Sequence, residues 1–99
     1  MNRDEILAIL RRHEQELRQL GVVRLSLFGS TARAENRADS DVDMAALFDP
    51  ASELSAIDIA GIELRISEIL GGKEVDLVEE PAKRPSLRRQ IERDRILAF

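Results

Sequence analysis

The chain contains no cysteine and a single histidine, His13. The first absence excludes a disulfide framework and any thiolate metal site. The second excludes a multi-histidine zinc centre built from this chain alone. No apolar run is long enough to span a bilayer, and Met1 leads straight into a charged amphipathic segment. A soluble, cytoplasmic protein without membrane contact is the expectation. Internal repeats and low-complexity linkers are also missing. The 99 residues suit one small domain covering 1–99. At 43% hydrophobic residues they can bury one modest core, of the marginal kind small domains have.

Basic charge is scarce over most of the chain. The net charge of −4 argues against stable nucleic-acid binding. Six basic residues nevertheless cluster at the end: Lys83, Arg84, Arg88, Arg89, Arg93 and Arg95. Against Glu92 and Asp94 they give a local net of +4, which leaves −8 on the rest. Such a segment either faces phosphates or an acidic partner, or is a solvated helix face.

Patterning predicts the elements. Asn2 with Glu5 forms a capping-box signature. Ile6, Ile9, Leu10, Leu17 and Leu20 recur at helical spacing, with Gly21 as C-cap, giving one helix. Val23 to Phe28 alternates as a strand, with Val23, Leu25 and Leu27 on one face. Gly29-Ser30 breaks it, and Ser30 to Ala34 can form a short helix. After the polar loop 35–40, Val42 to Phe48 reads as a second strand, ended by Asp49-Pro50. A helix starting at Ser52 or Ser55 runs to about Leu70. It carries one apolar stripe of Leu54, Ile57 and Leu64 and another of Ile59, Ile62, Ile66 and Ile69. It is therefore either well buried or offers a face to a partner. Gly71-Gly72 stops it, Glu74 to Val78 is a third strand, and Leu87 to about Ala98 a last helix. Three strands covered by helices make a small α/β (α+β) layer.

The chemistry concentrates in two places. Asp41 and Asp43 are two apart at a strand start, so their side chains share a face. Adjacent carboxylates repel unless a cation sits between them, and hard oxygen ligands suit Mg²⁺ shared with substrate phosphates. The alternative is that Asp39-Ser40-Asp41 merely caps a loop. Asp76, between Val75 and Leu77, would be costly to bury unpaired. It joins Asp41 and Asp43 if the third strand neighbours the second; otherwise it is an edge-strand residue facing water. Three carboxylates can hold two metal ions, one for the attacking hydroxyl and one for the leaving oxygen. Gly29-Ser30 supplies the second place. Amides at a helix start point toward an anion, the Ser30 hydroxyl can bond a phosphate oxygen, and Arg33 offers a donor fork to a triphosphate. The Gly-Lys-Ser/Thr ending of a P-loop is missing. His13 reads as a packing or surface residue.

Gly29-Ser30-x-x-Arg33, followed by Ser40-Asp41-x-Asp43 and a later Asp76, resembles the polymerase-β-like nucleotidyltransferase superfamily. The short length and the ending after Val75-Asp76-Leu77-Val78 resemble its minimal nucleotidyltransferase (MNT) branch. The resemblance covers nearly the whole chain and implies a mixed sheet with helices packed on it. It implies Mg²⁺, as two ions, with ATP as substrate. It makes Asp41 and Asp43 metal ligands and Asp76 a third carboxylate that helps deprotonate the acceptor. Gly29, Ser30, Arg33 and Ser40 become nucleotide-binding residues. Many such proteins resemble the antitoxin half of HEPN–MNT toxin–antitoxin pairs, in which the MNT protein transfers AMP to a tyrosine of the HEPN toxin. One position departs: the family usually has glycine after Ala-Arg, and here it is Ala34.

The expected function is Mg-dependent AMP transfer from ATP to a hydroxyl of a HEPN-type partner, as an antitoxin. The motifs occupy the only domain, so the acceptor pocket is expected from a partner, with the apolar stripe of the long helix and the basic tail as candidate contacts. The competing readings are an antitoxin that neutralises by binding alone, and a transferase acting on a small molecule or an RNA end.

Overall fold

A computed structural model describes the chain from Met1 to Phe99. Two helices, α1 (Arg3–Arg12) and α2 (Glu14–Gln19), lead into strand β1 (Val22–Leu27). The one-turn helix α3 (Gly29–Ala32), strand β2 (Val42–Phe48) and helix α4 (Ala56–Ile69) follow. Strand β3 (Val75–Glu80), helix α5 (Pro85–Asp94) and strand β4 (Ile96–Leu97) complete the order. The strands form one sheet in the order β3-β2-β1-β4. β1 runs antiparallel to β2 and β4, and β2 parallel to β3. This is the expected mixed α/β layer. No helix is long and apolar enough to cross a membrane.

Alternation along β2 assigns the two faces of the sheet. Val42, Met44 and Ala46 are buried in the main core with Ile6, Leu10 and Leu17 of α1–α2 and with Ile62 and Ile66 of α4. Ala45 lies in a smaller cluster with Phe28, Ala82 and Ile91 of α5. The α1, α2 and α4 layer therefore covers one face, and α5 covers the other. Asp43, between Val42 and Met44, belongs to the α5 face.

The capping box expected at Asn2 is present, and Ser55 rather than Ser52 starts α4. Asn2 and Ser55 each form a reciprocal capping box, with Glu5 and Asp58. α4 ends in a Schellman motif: Gly71 N–H donates to Glu68 O and Gly72 N–H to Ser67 O.

Four expectations are corrected. The first helix is broken at His13, whose backbone (φ −104°, ψ 13°) leaves the helical region; its Nδ1 lies 2.9 Å from Ile9 O. In β1 a register shift between Val22 and Arg24 puts Val22 in the core and leaves Val23 41% exposed. The short helix starts at Gly29 rather than Ser30 and ends at Ala32. The last helix stops at Asp94, because Arg95 adopts φ −50°, ψ 125°. The residues beyond it form a fourth strand on the free edge of β1. Arg11 holds this strand by donating to the carbonyls of Ala98 and Leu97. Arg18 stacks over the Phe99 ring at 5.0 Å.

Candidate active site

The parallel register of β2 and β3 sets Asp43 directly opposite Asp76. The condition attached to Asp76 by the sequence is thus met: both carboxylates belong to the α5 face. Asp41 precedes β2 by one residue and is exposed, as is Asp76; Asp43 is half-buried. β3 is an edge strand, so Asp76 is open to solvent while sharing a face with Asp43.

Electrostatics reports the crowding. The Asp43 carboxyl is pushed above the usual aspartate value, first by burial and then by the charges of Asp76 and Asp41, with Arg33 pulling the other way. A divalent cation would relieve that repulsion, and the donors are all hard oxygens, the set that Mg²⁺ takes. The residues fit such an ion in kind. Their oxygens are not drawn together as a ready group of three ligands; Mg²⁺ usually takes one or two carboxylates and completes its shell with waters and substrate phosphates.

Gly29 joins the two halves of the site. Its φ is +72°, a conformation that L side chains rarely adopt. A Cβ built there would run into the Asp43 carboxylate at Oδ2. The start of α3 is therefore seated directly on the carboxylate. Phe28 N–H donates to Asp43 O (3.1 Å) and fixes the approach. α3 has four residues, too few for a strong dipole, so what it offers an anion is the individual N–H groups that a first turn leaves unpaired. Ser30, half-buried, carries its hydroxyl on this turn.

Two sequence-named residues are engaged elsewhere. Arg33 Nη1 donates to Asp94 Oδ2 (2.6 Å), and Nε donates to Glu35 Oε2 (3.1 Å). Its guanidinium faces the end of α5 rather than standing free for a triphosphate. Ser40 closes the preceding loop: its Oγ accepts from Arg37 N–H (2.9 Å), and its own N–H donates to Arg37 O. It shapes the approach to Asp41.

The residue that sequence reasoning missed is Asp94. Its side chain is 4% exposed. Arg93 and Arg33 hold its carboxyl below the usual range. Its neighbour Arg95 donates to Ser26 Oγ (2.8 Å) and to both oxygens of Glu80. The end of α5 is thus pinned to α3 on one side and to the strands on the other. The sequence held one signal, an acidic residue inside a basic run.

Comparison with known proteins gives the family and the fold. The family described as "Nucleotidyltransferase domain" matches residues 10–98. Protein adenylyltransferase MntA of Thermococcus cleftensis is 36% identical over 93 residues, covering 92% of this chain and 90% of that protein. A solved structure described as a candidate minimal nucleotidyltransferase superposes with a TM-score of 0.80 at 33% identity. That match covers 97% of this chain and 95% of the other. A tri-AMPylated Shewanella oneidensis HEPN toxin in complex with its MNT antitoxin matches with a TM-score of 0.66 at 21% identity, over 94% of this chain and 71% of that one. The last likeness is one of fold. The chain belongs to the nucleotidyltransferase domain family, in the group that holds the protein adenylyltransferases.

Proposed function

We propose that this chain transfers AMP from ATP to a hydroxyl, that of a tyrosine, on a HEPN-type toxin, and so acts as its antitoxin. The observation that carries the proposal is Gly29. By seating the α3 turn on Asp43, it sets phosphate-binding amides beside carboxylates suited to a metal. The names of the relatives, adenylyltransferase and MNT antitoxin, support the same reading.

Asp41, Asp43 and Asp76 would hold Mg²⁺, which supplies positive charge against the charge that develops on the phosphates. The N–H groups of α3 and the Ser30 hydroxyl bond the β- and γ-phosphate oxygens and align the α-phosphorus. Asp76, on the open edge strand, faces the incoming acceptor and takes the proton of its hydroxyl. The acceptor oxygen bonds to the α-phosphorus as the bond to the β-phosphate breaks and pyrophosphate leaves. Positioning and charge stabilisation account for the acceleration. Lys83, Arg84 and Arg89 are exposed on or beside α5, the layer on the site's own face, and are the candidate contacts for the partner.

The test is intact-mass measurement of the co-purified partner after incubation with ATP and Mg²⁺. One or more added AMP masses are expected. Asp43→Asn is expected to slow transfer by about a hundredfold or more, with the circular dichroism spectrum unchanged. Transfer at the native rate in this variant sinks the carboxylate assignment. Arg33, engaged by Asp94 and Glu35 instead of standing free for a triphosphate, favours one second reading, neutralisation by binding alone. In that case the Asp43→Asn protein neutralises its partner as well as the native chain does.

A further inference from the structure

From its apolar helix face we infer that the chain forms a two-fold symmetric dimer through α4. The outer face of this helix is unpartnered. Ile57 is 84% exposed and Leu64 is 64% exposed. Between them lie Ala60 and Gly61, both exposed, and a Cβ at Gly61 would meet nothing within 4 Å. Ile57, Ala60, Gly61 and Leu64 stand at i, i+3, i+4 and i+7, a continuous stripe along one side of a helix. Leu20, 40% exposed, extends the apolar surface from α2, beside a shallow groove that it shares with Leu54 and Ile57.

The stripe is complementary to itself. An antiparallel copy centred between Ala60 and Gly61 sets Ile57 against Leu64 twice. The small residues then fall where the helix axes approach most closely. Asp58 and Arg65 lie together on one flank, with the same seven-residue spacing. A two-fold axis brings like flanks together, so Asp58 of each copy lies on the same side as Arg65 of the other, offset along the axis by two residues' rise, about 3 Å, from the apolar register, which the long Arg65 side chain can span. Within the chain, Arg65 uses Nε and Nη2 on Glu16, and Asp58 uses Oδ2 on Ser55. Arg65 Nη1 and Asp58 Oδ1 are left for a neighbour. Exposed pairs of this kind fix register and orientation more than strength.

Position in the fold separates this surface from the reaction. α4 packs on the Val42–Met44–Ala46 face of β2, and the carboxylates belong to the opposite face. An acceptor protein seated on α4 would have the sheet between it and Asp43. A dimer through α4 instead leaves both active sites facing outward. The inference does not rest on the AMP-transfer reading.

Sedimentation velocity of the whole chain over a concentration series tests it. A monomer–dimer equilibrium at micromolar concentrations is expected. Ile57→Glu and Leu64→Glu are expected to weaken it by about tenfold or more by burying a charge in the stripe, with the circular dichroism spectrum and the melting temperature of the monomer retained. The chain has no cysteine, so Gly61→Cys gives a clean probe. A short bismaleimide crosslinker is expected to join two Gly61→Cys chains and not two Lys83→Cys chains, whose site lies beside α5. A chain that stays monomeric overturns the inference. So does a dimer indifferent to Ile57→Glu, or a monomer in which Ile57→Glu abolishes only the binding of another protein.

Discussion

Two backbone positions with positive φ bracket the turn that faces the carboxylates. At its start stands Gly29, where no side chain has room. At its end stands Ala34, with φ +59°. Ala34 occupies the C′ position of a Schellman motif: its N–H donates to Thr31 O, and Glu35 N–H donates to Ser30 O. Glycine is the usual residue there, and an L residue in this region carries a cost of about 1 kcal/mol or somewhat more. Ala34→Gly relieves that strain but frees the unfolded chain, which offsets roughly half of it. A net gain of about 0.5 kcal/mol is expected, read as a melting temperature about 2–4 °C higher. An unchanged or lower value contradicts the strain. Both positions were legible as residue types: Gly-Ser marked the turn, and Ala34 was visible as a departure from the family. What the sequence could not reveal is that Gly29 touches Asp43, because that contact depends on how β1 and β2 pair across fourteen residues of chain.

At the scale of elements, α5 changes the meaning of Arg33. The sequence offered Arg33 as a counter-charge for triphosphate, from its place one turn after Ser30. The fold delivers Asp94 from the far end of the chain to hold it, and no local pattern announces a pair 61 residues apart. The same distance hid β4: two residues of strand have no periodicity of their own, and the edge of β1 together with Arg11 decides their conformation. Elements with long, regular patterns, such as α4 and β2, were read nearly to their ends. If Asp94 positions α3 through Arg33, Asp94→Asn is expected to raise the KM for ATP about threefold to tenfold while kcat moves less. The melting temperature should also fall, since Arg33 and Arg93 lose their shared partner. Asp94→Glu, which keeps the charge, is expected to restore part of the KM. A KM unchanged in a folded Asp94→Asn protein confines Asp94 to a structural role.

Over the whole molecule, the buried and half-buried ion pairs set a definite response to acid. Glu80 is held below its ordinary value of 4.5, chiefly by the hydrogen bond from Arg95. Asp94 is held below 3.8, chiefly by Arg93. Both carboxyls therefore stay ionised in the fold at pH values where the unfolded chain already takes up protons. Their stabilisation is complete above about pH 5 and is lost as the pH falls through their folded values. Asp43 acts in the opposite sense. Its raised value means that protonation favours the fold, so its contribution is present in acid and disappears as the pH rises through that value. Glu16 and Asp58, on the surface, are also held low, by Arg65 and by Ser55, so four carboxyls lose where one gains. With 15 lysines and arginines the protonated chain also becomes strongly cationic and repels itself. Urea midpoints are accordingly expected to change little from about pH 7 to 5 and to fall steeply below about 4.5. Glu80→Gln separates the pair from the general charge effect. It is expected to lower stability at pH 7, because Arg95 and Arg24 lose their partner, and to flatten the acid limb, because one proton-linked group is gone. An acid limb equally steep in the Glu80→Gln protein would assign the loss to overall charge instead of to the Glu80–Arg95 pair.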